Sequence, residues 1–222
     1  MTDFIDIHSH HTGVADNAIS IYNHDLTETD IQQEQPISIG LHPWNIKKYN
    51  IENLQNDLDN YSLTHNVLAI GECGLDRAID IPIETQTALF LQHCQAAVIA
   101  GKPLIIHCVR AYSDLIYLFK KNNYTEAFIL HHYNGNAFQT EAFLKLNSYF
   151  SFGKQLMNPT PKFIDKFEQV PINRLFLETD DSEFSIQEIY LRAAELLQLS
   201  VETLKTLIFQ NFNLLFNYGM AK

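Results

Sequence analysis

Residues 1–46 contain neither lysine nor arginine. The basic stretch that opens a secretory leader is therefore missing, and no apolar run approaches the roughly 20 residues needed to span a bilayer. Both absences predict a soluble, cytoplasmic chain with no membrane contact. Cysteine is scarce: Cys73, Cys94 and Cys108 are an odd number and form no Cys-x-x-Cys pair. That argues against a disulfide framework or a thiolate zinc site and predicts reduced core thiols. Positive charge is the minority, with 15 Lys and Arg against 26 Asp and Glu and a net charge of −11. Such a balance argues against a broad footprint on long duplex nucleic acid, yet allows a small phosphate ligand held by a few cations. No Gly/Ser linker, low-complexity tract or repeat divides the 222 residues, so one domain is expected over 1–222.

What is present is a series of short apolar segments, most of them followed by polar residues. Phe4 to Ile7 runs into His8-Ser9-His10-His11, and Ala18 to Tyr22 follows after only a turn at 13–17. Ile37 to Gly40 leads to Leu41-His42-Pro43-Trp44, and Val67 to Gly71 to Glu72-Cys73-Gly74-Leu75-Asp76. Leu104 to Ile106 ends in His107, and Ala127 to Leu130 in His131-His132. Tyr149 to Phe152 is closed by Gly153, and Arg174 to Leu177 ends in Glu178-Thr179-Asp180-Asp181. Strands this continuously apolar indicate a parallel sheet covered by helices.

The intervening segments predict helices over 51–63, 85–100, 112–121, 138–146, 160–169, 186–197 and 201–216. Gly101 stops the second and Ser200 caps the last. A further short helix over 27–35, capped by Thr27 or Asp25, would be closed by Pro36. Eight strands alternating with helices predict an α/β fold, a small and slightly reduced (β/α)8 TIM barrel.

In such a barrel the C-terminal strand ends share one mouth, so His8, His10, Glu72, His107, His131 and Asp180 would converge there. Residues two apart on a strand face the same way, which lets His8 and His10 address one point. Imidazoles and carboxylates without thiolates suit Zn, Mn or Mg. Two divalent cations are expected, with Glu72 giving one oxygen to each and Asp180 orienting and deprotonating a water. A metal pair lowers the pKa of such a water and stabilises charge on the attacked centre. Asp6 and Glu178 are expected as supporting polar partners, and His65 and His93 as structural.

The same segments resemble the TatD-type metal-dependent deoxyribonucleases and hydrolases of the amidohydrolase superfamily. Ile5-Asp6-Ile7-His8-Ser9-His10 is similar to that family's I-D-x-H-x-H, Gly40 to Trp44 to its G-x-H-P, and Ala69 to Asp76 to its A-I-G-E-x-G-L-D. Ile105-Ile106-His107, His131 to Gly135 and Leu177 to Asp180 resemble three further motifs in the same order. The resemblance implies the same six metal ligands and hydrolysis of DNA phosphodiesters from a 3′ end. It departs at loops that would build the substrate groove. The unit after the first motif is shortened to a turn, Val109 and Arg110 stand where an Arg is usual one place earlier, Arg77 replaces an aromatic, and the long loop after Asp180 is absent.

The leading expectation is therefore a two-metal phosphodiesterase or deoxyribonuclease acting on a DNA end or a small phosphodiester, with no obligate protein partner. Catalysis is assigned to Asp180 and Glu72, and substrate contacts to His42, Arg77, Arg110 and Lys154, with Trp44 and Tyr133 offering faces for base stacking. The alternatives are an amide, lactone or ester hydrolase using the same site, and a non-catalytic metal-stabilised adaptor.

Overall fold

The computed structural model describes residues 3–12, 16–28 and 35–217. Its centre is an eight-stranded sheet in sequential order, every neighbouring pair parallel. The strands are β1 Phe4–Ser9, β2 Ala18–Asp25, β3 Ile37–Gly40, β4 Val67–Asp76, β5 Leu104–Val109, β6 Phe128–Leu130, β7 Ser148–Phe152 and β8 Leu175–Leu177. Around them lie α1 Leu54–Tyr61, α2 Ile83–Ala100, α3 Tyr112–Lys121, α4 Ala137–Leu144, α5 Pro161–Glu168, α6 Ile186–Leu196 and α7 Val201–Phe216. This is the expected (β/α)8 barrel, nearly closed. The strands bury their apolar residues on both faces, Ile5, Ile39, Ile70, Ile105 and Ile129 among them. No described helix is long and apolar enough to cross a membrane.

Helix limits follow local chemistry. Gly101 ends α2 with φ 62°, and Thr160, Ser185 and Ser200 each accept a backbone N–H at the start of α5, α6 and α7. The expected helix over 27–35 lies largely outside the described residues, as does much of the turn at 13–17. Four strands run beyond their apolar stretches: β1 to Ser9, β2 to Asp25, β4 to Asp76 and β5 to Val109. Polar side chains in these extensions, such as Glu72, Asp76 and His107, find polar partners at the mouth, so pairing continues past the first polar residue.

Closure of the barrel is the constraint that shapes its mouth. β8 has three residues, and the join to β1 is made beyond its end, where Ser9 pairs with Asp180. His10 N donates to Asp180 O and Asp180 N to His8 O, each at 2.9 Å. Asp6 reinforces the seam by accepting from Thr179 N at 2.9 Å and Thr179 Oγ1 at 2.7 Å. Farther down, β8 and β1 form no ladder pairs among the described residues. There the Tyr190 hydroxyl of α6 accepts from Ile5 N and donates to Ile5 O, both at 3.1 Å. One side chain thus satisfies two backbone groups that burial would otherwise leave unpaired.

Tyr190→Phe removes both bonds while keeping the ring. Urea unfolding should show a loss of about 1–3 kcal/mol, the cost of stranding buried polar groups; an unchanged midpoint would mean that Tyr190 does not hold the seam.

Candidate metal centre

Glu72 sits in mid-strand, and the sequence around it explains why. Between Ile70 and Cys73 of β4 there are three steps, against two between their partners Leu104 and Ile106 on β5. A similar extra residue falls between Asp6 and Ser9 of β1. Such bulges re-aim side chains, and here they bracket Glu72 and His8. Glycine flanks Glu72 for a steric reason. A Cβ on Gly71 would lie 2.2 Å from the Ile105 carbonyl oxygen, and one on Gly74 would lie 1.9 Å from that of His107.

The two Glu72 oxygens face different imidazoles. Oε2 is 3.3 Å from His8 Nε2 and 3.6 Å from His10 Nε2. Oε1 is 2.8 Å from His131 Nε2, 3.0 Å from His107 Nδ1 and 3.1 Å from His42 Nε2. Asp180 Oδ1 joins the first group, 3.8 Å from His8 Nε2 and 3.5 Å from His10 Nε2. The His8 and His131 rings, distant in sequence, have centroids 4.5 Å apart. The six residues expected as ligands therefore meet at one mouth. His42, expected as a substrate contact, stands with Glu72 and His107 in a group whose ligand atoms could share one ion.

The donor set fits a cation on a direct observation. His8 is fully buried, yet neither ring nitrogen has a hydrogen-bond partner, and its Nε2 faces two carboxylates. A lone pair buried in that position needs a proton or a metal ion. Burial pushes Glu72 up, but His131, His10 and His107 outweigh it and hold the carboxyl well below its ordinary range. Burial likewise opposes charge on His131, and Glu72 and Glu178 reverse that to raise it well above the usual imidazole value.

Supporting groups fix the rings. His107 Nε2 lies 3.1 Å from Asp76 Oδ2, which also accepts from Trp44 Nε1 at 2.7 Å. With Nε2 carrying the proton, His107 presents a free Nδ1 to the Glu72 side. Glu178 Oε1 lies 3.6 Å from His131 Nδ1 and accepts from His132 N at 2.7 Å. Asp180 Oδ2 is 3.2 Å from His132 Nδ1. Burial raises Asp180, but His132, His131 and His8 together leave it depressed.

The mouth opens into a cavity of ≈ 960 Å³ lined also by Trp44, Arg110 and Lys154. Arg77 does not line it: Asp114 engages its guanidinium with two bonds of 2.7 Å. Tyr133 is no stacking platform either, being fully buried with its hydroxyl 3.0 Å from Thr140 Oγ1. An isolated sequence position could not reveal that Asp114, 37 residues away, competes for Arg77. Trp44, by contrast, is 62% exposed at the rim.

Comparisons with known proteins bear on the family and the fold. A family model described as TatD related DNase matches residues 8–217. A protein of Buchnera aphidicola named as an uncharacterized metal-dependent hydrolase is 31% identical over 156 residues, covering 67% of this chain and 59% of its own length. A protein of Edwardsiella piscicida named as a 3′-5′ ssDNA/RNA exonuclease is 31% identical, over 64% of this chain and 55% of its own. The chain thus spans less than two thirds of these relatives. The solved structure of the Escherichia coli TatD homologue YjjV superposes with a TM-score of 0.81 at 23% identity, covering 96% of this chain and 98% of that one.

One support was not expected from sequence. Asn23 Oδ1 accepts from Glu72 N at 2.9 Å and its Nδ2 donates to Glu72 Oε2 at 3.3 Å. The signal was the two-residue period Ile21, Asn23, Asp25 continuing past Tyr22. Behind the third loop, Leu41 N donates to His93 Nε2 at 3.0 Å while His93 Nδ1 lies 2.9 Å from Leu89 O, so His93 is structural, as expected. These contacts fix it neutral, with the proton on Nδ1.

Burial lowers His93 from 6.5 to about 4. Below pH 6.5 the unfolded chain takes a proton there that the folded chain refuses until about pH 4, so stability falls as pH drops through this window. His93→Gln keeps an acceptor for Leu41 and removes the titration. Between pH 6.5 and 4 the wild type should lose about 3 kcal/mol relative to this variant; parallel denaturation curves would refute that assignment.

Proposed function

The chain belongs to the TatD related DNase family, and on that premise we propose that it is a metal-dependent hydrolase cleaving phosphodiesters at a DNA end or in a small nucleotide. The observation that carries this reading is the division of Glu72, with one oxygen toward His8 and His10 and the other toward His107 and His131. A carboxylate so divided suits two divalent cations. One would be held by His8, His10, Glu72 and Asp180, the other by Glu72, His107 and His131, with His42 beside them. Bound there, such cations supply Lewis-acid stabilisation of the negative charge that grows at phosphorus and favour ionisation of the attacking water.

The remaining work falls to the chain. Asp76 and Glu178 hold His107 and His131 in orientation, and Asn23 holds the Glu72 backbone and side chain together. Asp180 is kept ionised by its imidazole neighbours, so it can accept the proton of the attacking water, while His132 at Oδ2 fixes the carboxylate plane. Arg110 and Lys154 at the rim are the cations available to a substrate phosphate, Lys154 after release from Asp181. The exonuclease name of the Edwardsiella relative supports nucleic acid as the substrate class.

Asp180→Asn preserves shape and an oxygen ligand but not the base. With added Mn²⁺ or Mg²⁺ it should retain metal and lose roughly 10²–10⁴-fold in kcat on a DNA or dinucleotide substrate. Near-wild-type turnover would remove Asp180 from the chemistry. A wild type that hydrolyses a lactone or cyclic amide and no phosphodiester would replace the substrate assignment.

A further inference from the structure

Beside the metal mouth lies a second cavity of ≈ 440 Å³, formed by the segments that follow β6 and β7 and by the start of α5. It is on the same C-terminal face of the barrel, and Asn134 lines both cavities. Their charges differ in sign. The first is lined by Asp25, Glu28, Glu72, Asp180 and Asp181 against only Arg110 and Lys154. The second is lined by Lys162 and Lys166 and by no carboxylate. In a chain of net charge −11, a cationic hollow adjoining the reactive mouth needs a reason.

The two lysines are one turn apart on α5, a spacing at which like charges repel. Among the described residues neither is in an ion pair. Lys166 is half-buried, and burial together with Lys162 holds its ammonium below the ordinary range; its Nζ donates to Asn134 Oδ1. One further feature favours an acceptor ligand. The α5 N-terminus, capped by Thr160, presents the positive end of the helix dipole. An anion here would relieve the lysine repulsion and meet that field.

We propose that this cavity is an anion subsite that holds a backbone phosphate of a single-stranded nucleic acid whose terminal phosphodiester lies at Glu72. The assignment rests on the phosphodiester reading above and adds to it how the rest of the strand is held. A single strand is indicated because the cations are confined to one small hollow, whereas a duplex needs a long basic track. Contact through phosphate alone predicts binding without base preference.

The test compares wild type with Lys162→Gln/Lys166→Gln, and with Lys162→Arg/Lys166→Arg as the charge-preserving control. Three measurements are made on the metal-loaded protein: kinetics on a strand of about six nucleotides, kinetics on bis(p-nitrophenyl) phosphate, which has no second phosphate, and binding of a hydrolysis-resistant phosphorothioate strand. The glutamine pair should raise KM and Kd for the strand about tenfold with kcat unchanged, leave the small diester unaffected, and reduce the log–log salt slope by about 0.7 for the lost phosphate contact. The arginine pair should restore binding. Equal strand affinity in wild type and the glutamine pair overturns the subsite, as does a wild type that binds no strand. Binding through the lysines without cleavage of any phosphodiester supports the subsite and overturns the reaction assigned to Glu72.

Discussion

A carboxylate buried at the mouth of the barrel, within 3.6 Å of five imidazole nitrogens, is the interaction on which the rest of this structure depends. Removing such a charge from water costs several kcal/mol unless opposite charge replaces the lost hydration. Neutral imidazoles alone cannot supply it. Protons on some of the rings can, and so can cations between them. The raised His131 and the depressed Glu72 and Asp180 record the same demand for positive charge from three directions.

The fold is arranged to meet this demand. Bulges in β1 and β4 turn His8 and Glu72 inward, and Gly71 and Gly74 let β4 approach β5 closely enough for His107 to reach Glu72. Closure of the barrel uses the same residues, since the pairing of Ser9 with Asp180 places the last carboxylate opposite the first histidines. The seam and the mouth therefore share residues. This explains why Asp6, which touches none of the six expected ligands' side chains, is bonded to both sides of the seam through Thr179 and Ser20.

The barrel was legible because its strands are apolar runs of similar length, and the mouth because imidazoles and carboxylates recur where those runs stop. Strand ends were less legible. The uninterrupted apolar run ends at Gly71, yet β4 continues to Asp76 because Cys73 and Leu75 are buried in the core while Glu72 and Asp76 find partners within the mouth rather than water. The surroundings of Arg77 and Tyr133 were not legible for one reason: exposure and pairing are set by residues remote in sequence, Asp114 for the first and the aromatic packing of Phe143 and Phe150 for the second. His42 carried its signal in Gly-x-His-Pro, but its distance to Glu72 required the third and fourth strands to be set side by side.

The proposed reading has Glu72 giving one oxygen to each of two cations. Anomalous diffraction from crystals grown with Mn²⁺ tests it directly. Two peaks are expected, one at Oε2 beside His8 and His10 and the other at Oε1 beside His107 and His131. A single peak, or peaks that leave either oxygen of Glu72 without a metal, would contradict it.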